Sequence, residues 1–168
     1  MKKYFIFFFI LIFTLPIVKI DKSLFVIIYE KNSDYLVFPV AIGDKQTSTK
    51  EGVFKITGKS VNPKWYIDNK IYPPYLENKE NALGIRWIGL SWIGYGIHGT
   101  NDPFSIGKDV SSGCVRLQNE DVEILYEKVN INDEVYIYSS LIDKDLSNAI
   151  SLLFNFYDLK KFIKRESK

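Results

Sequence analysis

Two runs of β-branched and aromatic residues, Leu24 to Tyr29 and Tyr35 to Ile42, flank the polar tetrapeptide Lys31-Asn32-Ser33-Asp34. Such a pair is the sequence sign of a hairpin and commits the chain to strands early. The pattern continues. Val53 to Thr57 reads as a short strand ended by Gly58, and Gly84 to Ile97 interleaves glycine with Ile, Leu, Trp and Tyr, as in buried strands approached closely by other backbone. Glu134 to Tyr138 alternates in strand fashion. Between these, Asn62 to Asn81 places Pro63, Pro73 and Pro74 among Trp65, Tyr66, Tyr72 and Tyr75 and reads as a long, aromatic-rich irregular excursion, of the kind that lines sites. One helix is expected after Asn119, read as its cap, with Val122, Leu125, Tyr126 and Val129 on one buried face. The fold class is mostly β with a few helices.

The two ends differ from this middle. Met1 to Ile20 has Lys2 and Lys3 ahead of an apolar run that continues to Val18, the layout of an export signal. The run is short for a bilayer span, yet the following LPIVKIDKSLF has no small-x-small cleavage site. Residues 1–20 are therefore read as a signal peptide or an uncleaved membrane anchor, and the protein as exported. Residues 143–168 return to helical spacing, with Leu152, Phe156, Leu159 and Ile163 on one stripe beside Lys160, Lys161 and Lys164: a C-terminal amphipathic helix. What lies between, 24–140, is one domain; 168 residues leave no room for a second of ordinary size. A net charge of +2 lacks the basic footprint of a nucleic-acid binder, so no nucleic acid is expected as partner. Oligomeric state stays open.

Chemistry concentrates in Gly94 to Asn119, GYGIHGTNDPFSIGKDVSSGCVRLQN, which holds the only histidine, His98, and the only cysteine, Cys114. A lone cysteine in an exported chain has no internal disulfide partner. Nucleophilic sulfur must be a thiolate, and an adjacent imidazole is the usual means of making one near neutral pH. The loop between the two contains proline and glycine and can fold back to bring them together. The turn at Gly113 can aim the amides of Gly113 and Cys114 at one point, an oxyanion hole for acyl transfer. Gly94 to Gly99 also matches G-x-G-x-x-G, but Thr100-Asn101-Asp102-Pro103 is a turn where a dinucleotide site needs a helix. One His and one Cys fall short of a zinc site. No cofactor and no metal is expected.

The order HGT, SIG, SxGCxRLxNxD, carried by His98-Gly99-Thr100, Ser105-Ile106-Gly107 and Ser111, Gly113, Cys114, Arg116, Leu117, Asn119 and Asp121, resembles the signature of the L,D-transpeptidase (YkuD-type) catalytic domain family. Pro39-Val40, Gly43, Thr49, Gly52, Phe54, Asn81, Leu83-Gly84 and Arg86-Trp87 follow the same family order. The resemblance covers roughly Leu24 to Tyr138. It implies a β-rich catalytic domain, Cys114 as nucleophile, His98 as general base and the Gly99 carbonyl orienting the imidazole. It implies a peptidoglycan stem peptide as substrate, a thioester acyl-enzyme, and transfer to an amine to give a 3→3 cross-link in cell wall biogenesis and cell shape. Arg116 then shapes the loop or meets a substrate carboxylate, and Ser112 and Thr100 are substrate-side candidates that also fit a loop-shaping role. Two positions depart from the family pattern: Lys50 replaces a proline, and Ser112 a histidine that many members carry before Gly-Cys. The rival readings are an L,D-carboxypeptidase or Cys-His amidase on wall peptides, and a catalytically silent wall-binding module.

Overall fold

The computed structural model describes residues 17–140. The N-terminal segment up to residue 16 and the C-terminal helix expected over 143–168 lie outside the described residues. Among the described residues, no helix is long and apolar enough to cross a membrane.

The strands run β1 (Val18–Asp21), β2 (Val26–Lys31), β3 (Asp34–Pro39), β4 (Ile42–Gly43), β5 (Gly52–Val61), β6 (Trp65–Ile67) and β7 (Lys70–Tyr72), then β8 (Arg86–Leu90), β9 (Gly96–His98), β10 (Asp109–Ser111) and β11 (Val115–Arg116). Helix α1 (Asn119–Lys128) and strand β12 (Glu134–Tyr138) complete the domain. Eight strands form one sheet in the order β11-β9-β8-β5-β12-β1-β2-β3; β10 pairs β4 and β6 pairs β7 in two small ladders. Val18, Ile20, Ile27, Ile56, Ile88, Ile97, Val115, Val135 and Ile137 alternate inward and meet Val122, Leu125 and Val129 of α1 in one core. This is the mostly β architecture that the strand pattern predicts.

Four expectations are corrected. Val18–Asp21 falls where the apolar N-terminal run was expected to precede the domain, but it pairs parallel with β12 and antiparallel with β2, with Val18 and Ile20 fully buried. The sheet thus begins before residue 24; an apolar run reads alike whether lipid or a core covers it. Strand β5 does not stop at Gly58 but runs through it, the register on β8 shifting between Ile56 and Gly58 as at a bulge. The excursion expected to be irregular contains the β6–β7 hairpin, turned by Asp68 and Asn69 at φ 49° and 60°. Asn-rich pairs tolerate that left-handed geometry, as Asn32 and Ser33 do between β2 and β3. Finally, Asn119 is the first residue of α1 and does not cap it, because its side chain is engaged elsewhere.

Candidate active site

Strand alternation sorts the catalytic stretch into two faces. Ile97 on β9 and Val115 on β11 are register partners and point into the core. Their neighbours Gly96, His98, Cys114 and Arg116 therefore turn to the opposite face, with Arg116 beside His98. The parallel register brings Cys114 level with Gly96, and the Gly96 amide acts as a hydrogen-bond donor to the sulfur. His98, Cys114 and Arg116 line one open cavity of about 520 Å³, together with Trp87, Tyr95 and Ser112. Pro63, Lys64, Trp65, Tyr66 and Ile67 of the β6–β7 hairpin and its approach line the same cavity.

His98 is only 3% exposed and stacks on Trp87, with ring centroids 5.7 Å apart. Its Nδ1 lies 2.7 Å from the carbonyl oxygen of Gly99, an acceptor, so Nδ1 carries the proton and Nε2 keeps its lone pair. Burial lowers the imidazole from 6.5 to about 4, against the Gly99 carbonyl, which favours the cation; the Arg116 charge lowers it further. Burial pushes the Cys114 thiol up, opposed by the Gly96 amide and by Arg116. The resting pair is a neutral thiol and a neutral imidazole. Arg116 itself is half-buried, makes no ion pair among the described residues, and its buried Nε has no hydrogen-bond partner.

Two clamps hold this arrangement. The Asn119 carboxamide oxygen accepts from the amides of Ile85 (3.2 Å) and Thr100 (3.3 Å), while Nδ2 donates to the Thr100 carbonyl at 2.9 Å. A Cβ on Gly99 would sit 2.2 Å from that oxygen, and one on Gly84 2.1 Å, so both glycines leave room for it. On the other side, Thr49 Oγ1 accepts from the Gly43 amide (2.8 Å) and donates to the Gly113 carbonyl (2.9 Å). Asp44 N and Thr47 Oγ1 both donate to the Ser111 carbonyl. Hydrogen bonds from Thr47 and Gln46 keep the Asp44 carboxyl below the usual range. Gly113 adopts φ +109° with the Tyr95 ring 2.6 Å from where a Cβ would stand, a position only glycine fills easily.

The structure brings His98, Gly99, Cys114, Arg116 and Ser112 to one place. It does not bring Thr100 there: its hydroxyl donates to the Asp102 carbonyl, accepts from the Asp102 amide and is buried, so it shapes the turn and lies outside the cavity lining. Of the two amides expected to form an oxyanion hole, that of Gly113 is already engaged. Gly113 N donates to Ser111 Oγ at 3.2 Å, and Ser111 Oγ donates onward to the Cys114 carbonyl. No local pattern marks the contacts of Asn119 with Thr100, nineteen positions back, or of Thr49 with Gly113, sixty-four positions on.

The family model described as the L,D-transpeptidase catalytic domain matches residues 16–137. The chain belongs to that family. An L,D-transpeptidase relative from Bacillus subtilis, named YqjB, is 40% identical over 106 residues, 60% of this chain and 58% of its own. Another from Escherichia coli, named YbiS, is 34% identical over 112 residues, 60% of this chain and 36% of its own. This L,D-transpeptidase family chain spans about half the length of the curated relatives it matches. An L,D-transpeptidase crystal structure from Mycobacterium tuberculosis superposes with a TM-score of 0.60 at 18% identity, covering 74% of this chain and 58% of that one. The Ldtfm-avibactam carbamoyl enzyme gives 0.61 at 21% identity, over 74% and 49%. These structures share the fold.

Proposed function

We propose that this L,D-transpeptidase family member catalyses acyl transfer on peptidoglycan stem peptides outside the cytoplasmic membrane, with its N-terminal segment as export signal or anchor, in cell wall biogenesis and the maintenance of cell shape. The observation that carries the reading is the tautomer at His98. With Nδ1–H committed to the Gly99 carbonyl, Nε2 is the available base, in the same cavity as the only cysteine.

The steps balance as follows. His98 Nε2 takes the Cys114 proton as sulfur attacks the carbonyl after the L-centre of a donor tetrapeptide stem. The bond to D-alanine breaks, the imidazolium returns its proton to the leaving amine, and a thioester remains. An amine of a second stem attacks the thioester carbon, giving up a proton to His98; the carbon–sulfur bond breaks, the imidazolium returns the proton to the departing sulfur, and the thiol is regenerated with a 3→3 cross-link left behind. Because the resting pair is neutral, proton transfer accompanies attack. The amide of Cys114, which has no hydrogen-bond partner among the described residues, is the oxyanion donor in this reading, with the Gly113 amide held by Ser111. Arg116 meets the carboxylate of the departing D-alanine and Ser112 borders it, both at the cavity wall.

The test is acceptor partition. Incubated with a tetrapeptide stem, the enzyme should release D-alanine and, when a second stem supplies an amine, form dimer at the expense of hydrolysis. Cleavage that no amine diverts makes the protein a carboxypeptidase. A folded chain that neither cleaves nor couples stems is the silent module.

A further inference from the structure

The cavity is one-sided in charge. Arg116, two residues after Cys114, and Lys64, on the approach to the β6–β7 hairpin, both line it, and no aspartate or glutamate does. Lys64 is exposed and, like Arg116, takes part in no salt bridge among the described residues. Among the described lysines only those at 19, 22 and 128 hold a carboxylate, so it is the place of Lys64 in the cavity lining, and not its lack of a partner, that singles it out. Arg116 adds the independent sign of a missing partner: its Nε is buried without an acceptor, a costly state for a guanidinium unless a ligand supplies one. Asp102 acts on the Arg116 charge from beyond ion-pair distance, and two like charges lining one open cavity still favour an anion between them.

Resting on the acyl-transfer reading above, we infer that the enzyme selects donor stems bearing two free carboxylates, the terminal one held by Arg116 and a second, farther along the stem, read by Lys64. The geometry of attack sets the division of labour. Arg116, two residues from Cys114, is placed for the carboxylate nearest the scissile carbonyl. Lys64 lines the cavity beside Trp65 and Tyr66, and in this reading the stem residues before the scissile bond run along that stretch. Stem peptides carry such acids on the second residue and on the side arm of the diamino acid. Conversion of either to a carboxamide keeps the shape and removes the charge. Lys64 is thus a specificity residue that makes no contact with the reacting atoms, and stems amidated at the position it reads are poorer donors.

The experiment uses the full chain and three tetrapeptides, one with all carboxylates free, one amidated at the second residue and one at the diamino acid side arm. Thioester formation is followed by intact mass in wild type and in Lys64→Gln. The expected result is that wild type favours the free stem over one of the amidated stems by roughly fivefold, the size of a solvent-facing ion pair. Lys64→Gln should erase that ratio by slowing only the free-carboxylate stems. The position whose amidation matters tells which acid is read. Equal ratios in the two proteins overturn the proposal. Calorimetric titration of the same peptides into Cys114→Ala separates it from the chemistry beneath it. Discrimination in binding without any thioester in wild type breaks the acyl-transfer reading alone, whereas thioester formation without discrimination breaks the carboxylate reading alone.

Discussion

The wall that carries His98 and Cys114 and the wall formed by the β6–β7 hairpin are each tied by one asparagine, with opposite results. Asn119 binds three backbone groups inside the fold, and the glycines at 84 and 99 admit it so closely that neither tolerates a Cβ. Asn81, fully buried, also donates to two carbonyls, those of Pro63 and Pro73 at 2.8 Å, but what it ties is the base of a hairpin whose tip lies in solvent. Tyr66 is 68% exposed and Ile71 63%. One wall is over-determined from several directions. The other is fastened at its root and free to meet ligands along its length. A chemical step that needs one geometry and a substrate that arrives as a long polymer call for these two kinds of wall.

The largest effect is expected on the rigid wall. His98→Gln should lower thioester formation by about 10²- to 10⁴-fold, the usual worth of a general base, as measured by single-turnover mass spectrometry. A loss below tenfold would remove His98 from the proposed role.

The same side chain sets a pH dependence of stability. With a folded pKa of about 4 against 6.5 unfolded, the unfolded chain binds more protons between these values, so stability is fully present above 6.5 and declines as pH falls toward 4. The decline amounts to about 3 kcal/mol from this group, and urea unfolding at pH 7 and pH 4 should show it in wild type but not in His98→Gln. An identical decline in both proteins would mean that the imidazole is not held neutral by burial.

The paired asparagines come next. Asn119→Ala leaves two amides and a carbonyl without partners in a buried turn and should cost about 2 kcal/mol in denaturant unfolding, with kcat falling as Gly99 drifts from Nδ1. Asn81→Ala leaves the carbonyls of Pro63 and Pro73 and the Leu83 amide without their partner and should cost a similar amount, about 2 kcal/mol, but should raise KM for stem peptides with kcat nearly unchanged. Reversal of that split would dissolve the distinction between the walls.

The site was the most legible part of the chain, for a physical reason. One histidine and one cysteine leave no choice of partner, and strand alternation with a glycine turn then puts them on one face. Local signals also sufficed for the β2–β3 hairpin and for α1, whose apolar spacing matches the buried Val122, Leu125 and Val129. They failed where a long-range partner overrides a local preference. Asn119 has the chemistry of a helix cap but is drawn to Thr100, nineteen positions back. Thr100, for which substrate-side and loop-shaping roles both stood open, bonds the Asp102 backbone within the turn. Prolines at 63, 73 and 74 masked the Asp68-Asn69 turn that makes a hairpin of the region between them. Val18 and Ile20 read as the end of an apolar leader, since hydrophobic sequence does not say which apolar phase covers it.

The central claim, that Cys114 is an acylatable nucleophile activated by His98, is tested most directly by intact-mass spectrometry of the protein with a carbapenem, a ligand that acylates such cysteines. One covalent adduct on wild type, absent from Cys114→Ala and slowed in His98→Ala, is the result predicted. A folded wild-type protein that gains no mass, or a Cys114→Ala protein that gains the same mass, would contradict it.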